Sequence, residues 1–241
     1  VDMAWHLENV PGAKAVVNFA PTLIEQIADY DDQLKSRFKG TGHLKDPLLI
    51  ALDSPAQPAH AEDRKTLIQN CLRANEEKLI APFPHFASLV ETAHWILDKP
   101  ERLDYINDQF IVDMVVWYHL VWMGESVRRA DVRIQELMKK GKHFSFHDRR
   151  QLMIVIGELL HDLIPRYRRL AESGKVELSV TPYAHPIVPL LLDVNSTLEA
   201  MPDAPLPEIT DYPGGEERAH WHMEEGLRVF ESYFGFRPKG C

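Results

Sequence analysis

Apolar positions recur every three to four residues along most of the chain, and two short stretches break that rhythm. Met3, Ala4, Leu7 and Val10 are spaced as on a helix that ends at Pro11-Gly12. Ala15-Val16-Val17-Asn18-Phe19 is short and β-branched, and it predicts a buried strand. Asn18–Thr22 then turns into a helix over Leu23, Ile24, Ile27 and Tyr30, with Thr22 as its N-cap. Helix, strand and helix with short connections are the cadence of a βα-repeat with parallel strands.

The middle of the chain reads as helical. Gly40–His60 is punctuated by proline and glycine and predicts a surface excursion. Helical patterns follow at Asp63–Asn75, Phe86–Leu97, Glu101–Ile106, Asp108–Glu125, Asp131–Lys140 and Ser145–Leu163. The last of these has Ser145 as N-cap and Asp148 three residues on, Pro165 marks a kink or restart, and Gly174 stands where a C′ glycine belongs. So many helical residues exceed a simple crossover and predict a helical insertion over roughly 61–172, carried on a barrel loop. Val176-Glu177-Leu178-Ser179-Val180 is the second strand, with Val176, Leu178 and Val180 on one face and Glu177 and Ser179 on the other. Beyond it come a loop over Thr181–Pro189, a short helix at Leu190–Leu198, a proline-rich linker or lid over Met201–Pro213, and a helix at Gly215–Phe234. Gly235-Phe236-Arg237-Pro238 leads toward a new strand.

Composition narrows the function classes. The 241 residues are 45% hydrophobic and 26% charged, which is globular, and the net charge is −9. An acidic chain with no basic cluster offers phosphate backbones little to hold, so no nucleic-acid partner is expected. No apolar run reaches the roughly 18 residues of a membrane helix, and no membrane partner is expected. Two cysteines, Cys71 and Cys241, are no disulfide framework, and a reducing, cytoplasmic location is the expectation. Val1 opens the chain with no basic signal-peptide region, and both ends are expected to be interior to a longer protein.

Glu177 carries the most information. A carboxylate inside an apolar strand either faces water, pairs with a cation or serves a site. Tyr183 and His185 lie in the loop that leaves the same strand, so an acid, an aromatic ring and an imidazole come within one loop of each other. That is the equipment of a sugar site, which binds hydroxyls by hydrogen bonds and stacks an aromatic ring on the apolar sugar face. The solvated face of an alternating strand accounts for Glu177 equally well. Twelve histidines raise a metal reading, yet His220 and His222 sit about 200° apart on their helix, and His119, His143, His147 and His161 form no HExxH set. No metal and no cofactor are expected. Trp117, Tyr118, His119 and Trp122 read as core packing and Glu125 as a solvated charge. No GxSxG, P-loop or Rossmann fingerprint is present.

Several of these stretches resemble the family 57 glycoside hydrolases. Gly174–Val180 is similar to that family's "GQLEI" strand, and Thr181–Ile187 with Pro189-Leu190-Leu191 resembles the segment after it. Val17–Gln26 is similar to the "NxxPSLLxQ" stretch, and Glu217–Gly240 to the helix and "FGFRPKG" ahead of the nucleophile strand. The resemblance implies an α/β fold that is an incomplete part of a (β/α)7, TIM-like barrel, with residues 1–241 as one partial catalytic domain. It implies a retaining enzyme acting on an α-glucan or oligosaccharide without a metal, either an amylase-type hydrolase or a glucanotransferase. Glu177 would match the family's substrate-binding glutamate, and Tyr183 and His185 would line the same subsite. The family's His-Gln-Pro motif would precede Val1. The nucleophile would follow Cys241, with the acid/base aspartate later still, so this segment alone would be inactive. Two other readings stand beside it: a non-catalytic carbohydrate-binding barrel, and a metal-dependent barrel of deacetylase or α-mannosidase type. The oligomeric state is left open.

Overall fold

The computed structural model describes residues 1–209 and 211–240; Cys241, the landmark for the expected nucleophile, lies outside them. In chain order the elements are α1 Asp2–Asn9, β1 Ala15–Phe19, α2 Pro21–Phe38, α3 Pro47–Asp53, α4 Ala61–Cys71, a π-helical turn Glu76–Ile80 and α5 Pro84–Leu97. A 3-10 turn Pro100–Tyr105, α6 Asp108–Trp122, α7 Glu125–Ala130, α8 Val132–Lys140 and α9 Phe146–Glu172 follow. The chain then runs through β2 Val176–Val180, α10 Val188–Leu192, a 3-10 turn Val194–Ser196, α11 Thr197–Ala200 and α12 Gly215–Phe234. It divides into two compact units, one of Val1–Asp2 with Asp31–Leu159 and one of Met3–Tyr30 with Leu160–Cys241.

The first unit is helical. Helix α6 is buried nearly all round, from Ile111 to Val121, because it packs against α3, α4 and α5 together. Helix α3 lies inside the segment expected to be a surface excursion. Its Asp46-Pro47 start is a cap, not punctuation: Asp46 accepts from the Leu48 and Leu49 amides and Pro47 occupies the first turn. Leu48, Leu49, Ala51 and Leu52 are consequently core. Buried Arg149 closes the other end by donating to the carbonyls of Ala51, Leu52 and Ser54. Trp117 is buried and donates to Gly141 O, as the core reading requires, whereas Trp122 is exposed. Glu125 is a surface charge paired with Arg128 and Arg129. Burial pushes the Cys71 thiol up to about 12, so it stays protonated.

The second unit holds the sheet. β1 and β2 pair in parallel with Ala15 opposite Val176 and Phe19 opposite Val180. Gly240 makes a further parallel bridge to Ser179, its carbonyl accepting from Val180 N. Val17, Phe19, Val176, Leu178 and Val180 are buried with Ile24, Ile27, Tyr167, Phe230 and Phe234. The opposite face is bare, with Val16 69% exposed. Two expectations need correction. The helix after β1 starts at Pro21, with Ala20 O accepting from Leu23 and Ile24 N, so Thr22 lies in the first turn and is not the cap. Helix α9 continues through Pro165 with no restart, because Ile164 just before the proline and Tyr167 and Leu170 beyond it are buried and hold it. Among the described residues the sheet has two strands and no barrel closure, so the fold observed is α/β and mostly helical.

Arg166 grips both carboxylate oxygens of Glu8, at 2.7 and 2.5 Å, and joins α1 to α9 within this unit. That hydrogen bond, partly offset by burial, holds the Glu8 carboxyl below its ordinary value of 4.5. A lowered native value gives stabilisation that is complete above 4.5 and lost as pH falls through the native value. Glu8→Gln is therefore expected to be less stable than wild type above about pH 5, with the gap closing toward pH 3. Urea midpoints measured across that range test it; a gap constant with pH would contradict it.

Candidate functional site

The bare face of the sheet carries Val16 and Asn18 from β1 beside Glu177 and Ser179 from β2, because alternate residues of a strand point the same way. Glu177 is exposed on this face and lines a concavity of about 760 Å³ with Lys14, Lys175, Arg237 and Lys239. It is the second residue of β2, so Ser179 stands between it and the carboxyl end of the strand. Ser179 Oγ donates to Asn18 Oδ1 at 3.1 Å, giving the face a second polar row.

Tyr183 and His185 lie past the carboxyl end of β2. The Tyr183 backbone N donates to His222 O at 2.8 Å, and its hydroxyl donates to Glu25 Oε2 on α2 at 2.8 Å. The Glu25 hydrogen bond is the main reason the Tyr183 phenol is raised above its usual value, so it remains a donor at neutral pH. Trp221 on α12 meets Tyr183 edge to face, with ring centroids 5.5 Å apart at 76°. Helix α12 comes this close because Gly226 lacks a Cβ, which would stand 2.9 Å from Thr181 O and 3.1 Å from Tyr183 N. His185 is exposed and holds a left-handed φ of 50°, with its backbone N–H donating a hydrogen bond to Pro182 O.

Tyr183 thus belongs to a cluster with Glu25, Trp221 and His222, while Glu177 stands on the strand face with Asn18 and Ser179. Sequence reasoning singled out Glu177, Tyr183 and His185 and passed over Glu25, Trp221 and Asn18 as site residues. Trp221 had a signal: it falls off the apolar stripe of α12 set by Ala219, Gly226, Val229, Phe230 and Phe234. Among the described residues no three His, Cys, Asp or Glu side chains are grouped to hold a metal.

A search of the curated proteins and a search of the solved structures return no significant match. The family model described as glycosyl hydrolase family 57 matches residues 18–241. That match takes in Asn18 and the end of β1, the Glu177 strand, the Tyr183 loop and all of α12. A match over nearly the whole length, including each of these parts, means that the chain belongs to glycosyl hydrolase family 57, a family of glycosidases.

Proposed function

We propose that the chain serves an α-glucan-active hydrolase or transglycosylase of the retaining type, and that the bare sheet face is the lumen side of a (β/α)7 barrel. The family match carries this reading. Parallel pairing, a helix-covered face opposite a bare one, and the Gly240 bridge on the edge of β2 away from β1 support the barrel part of it. A retaining mechanism calls for a nucleophile and an acid/base carboxyl about 5–5.5 Å apart. Glu177 takes neither role. It holds sugar hydroxyls near the reacting centre, and Tyr183 and His185 line a neighbouring part of the binding surface past the carboxyl end of β2.

The experiment is a screen of the complete protein against amylose, pullulan and maltooligosaccharides. New reducing ends report hydrolysis, and redistribution of chain lengths reports transfer. Glu177→Gln is expected to lower turnover more than tenfold, about 1.4 kcal/mol of transition-state binding, with the thermal midpoint within a few degrees of wild type. Wild-type turnover in the variant would show Glu177 to be an ordinary solvated strand residue. Silence of the wild-type protein on every glucan would reject the substrate class.

A further inference from the structure

We infer that Trp221, Tyr183 and Glu25 form a saccharide subsite at the carboxyl end of the sheet, which takes one ring of a glucan chain. The inference rests on the α-glucan reading above and adds a residue, Trp221, to it.

Trp221 is 52% exposed on a helix whose buried side is complete without it. An indole left half in water gives up burial that α12 could have used, so packing does not explain the residue. Its ring is nonetheless fixed: the edge-to-face contact with Tyr183 and a second one with His222, at 4.9 Å and 72°, set its plane. Tyr183 is itself pinned by Glu25 through its hydroxyl and by His222 O through its amide. The outcome is a rigid corner of two nearly perpendicular rings, with little ordering left to be done when a ligand arrives.

The polar groups at this corner suit a neutral polyol. Glu25 uses Oε2 for Tyr183, and its Oε1 meets no hydrogen-bond donor among the described residues. A charged oxygen beside a fixed aromatic face offers a sugar ring one stacking surface and one hydroxyl acceptor. Arg228, which interacts electrostatically with Glu25 and Tyr183, is paired with Glu225 at 2.7 and 2.5 Å, so it is not left free to select a phosphate or carboxylate. The corner therefore reads as a site for an uncharged ring.

The test is kinetics on maltoheptaose with the complete protein and two variants. Trp221→Ala is expected to raise KM about fivefold or more with kcat within about twofold, and Trp221→Phe to restore most of the loss. Titration with maltoheptaose is expected to quench tryptophan fluorescence in wild type, and the quench to be lost in Trp221→Phe. A KM unchanged in Trp221→Ala, with wild type active, overturns the subsite and leaves the glucan reading standing. A wild-type protein that neither binds nor turns over maltoheptaose overturns both. An equal fall of kcat in the Ala and Phe variants, with KM unmoved, would assign Trp221 a structural part and overturn the subsite.

Discussion

Asp113→Ala is expected to destabilise the helical unit by about 3–5 kcal/mol, the larger of the losses argued for that unit. Asp113 is 5% exposed on α6, and no cation pairs with it among the described residues. Its charge is held by donors: the backbone amides of His143 and Phe144, at 2.9 and 3.0 Å, and Gln109 Nε2 at 2.8 Å. Those two amides sit in the turn between α8 and α9, where His143 has a left-handed φ of 60°. Alanine would leave both amides without an acceptor, at about 1–3 kcal/mol each, and remove the carboxylate that keeps His143 in its strained conformation. Asp113→Asn separates the two effects. Its oxygen can replace Oδ1 and serve Phe144 and Gln109, but its NH2 would face the His143 amide, so about half the loss is expected. Urea unfolding followed by circular dichroism measures both. A loss under 1 kcal/mol in the alanine variant would mean that water satisfies the turn.

Most of the second unit was legible in the residues, for a physical reason in each case. β1 and β2 are short, β-branched or alternating, and bounded by glycine and proline, and they form at the predicted residues. Helix α12 has a clear apolar stripe between glycines and runs over the predicted span. Two of the failures come from prolines. At Pro47 the ring begins a helix that Asp46 caps, and sequence alone does not distinguish a proline that starts a helix from one that ends a loop. At Pro165 local chemistry argues for a break costing about 3 kcal/mol, and the apolar row beyond it outweighs that cost. Tertiary burial decides such cases, and it is not written in a window of neighbours.

The candidate site was legible only where chemistry and secondary structure coincide. Glu177 stood out because an acid interrupts an apolar strand, and Tyr183 because it follows that strand directly. Glu25 and Trp221 are distant from both in sequence and reach Tyr183 only through the parallel pairing of β1 with β2 and the close approach at Gly226. No spacing rule connects residues 25, 183 and 221, so their meeting is a property of the fold.

Phe234→Ala is expected to cost the second unit about 3–5 kcal/mol. Phe234 is 0% exposed at the end of α12. Its ring lies 4.5 Å from Phe230, 5.2 Å from Phe19 and 6.2 Å from Phe236, and Phe19 in turn meets Tyr167 edge to face at 5.1 Å. The ring therefore links β1, α12 and, through Tyr167, α9 under the one covered face of a two-stranded sheet. With the other face bare, this side carries the strands' apolar packing, and a cavity here has few neighbours able to collapse into it. Phe234→Leu keeps most of the volume and is expected to lose about 1–1.5 kcal/mol. Tyr233→Ala deletes an aromatic ring one residue away on the exposed side and is expected to cost well under 1 kcal/mol. The three unfolding free energies from denaturant titration test the claim together. If Tyr233→Ala proved as damaging as Phe234→Ala, the stability of α12 would not derive from the face it turns to the sheet.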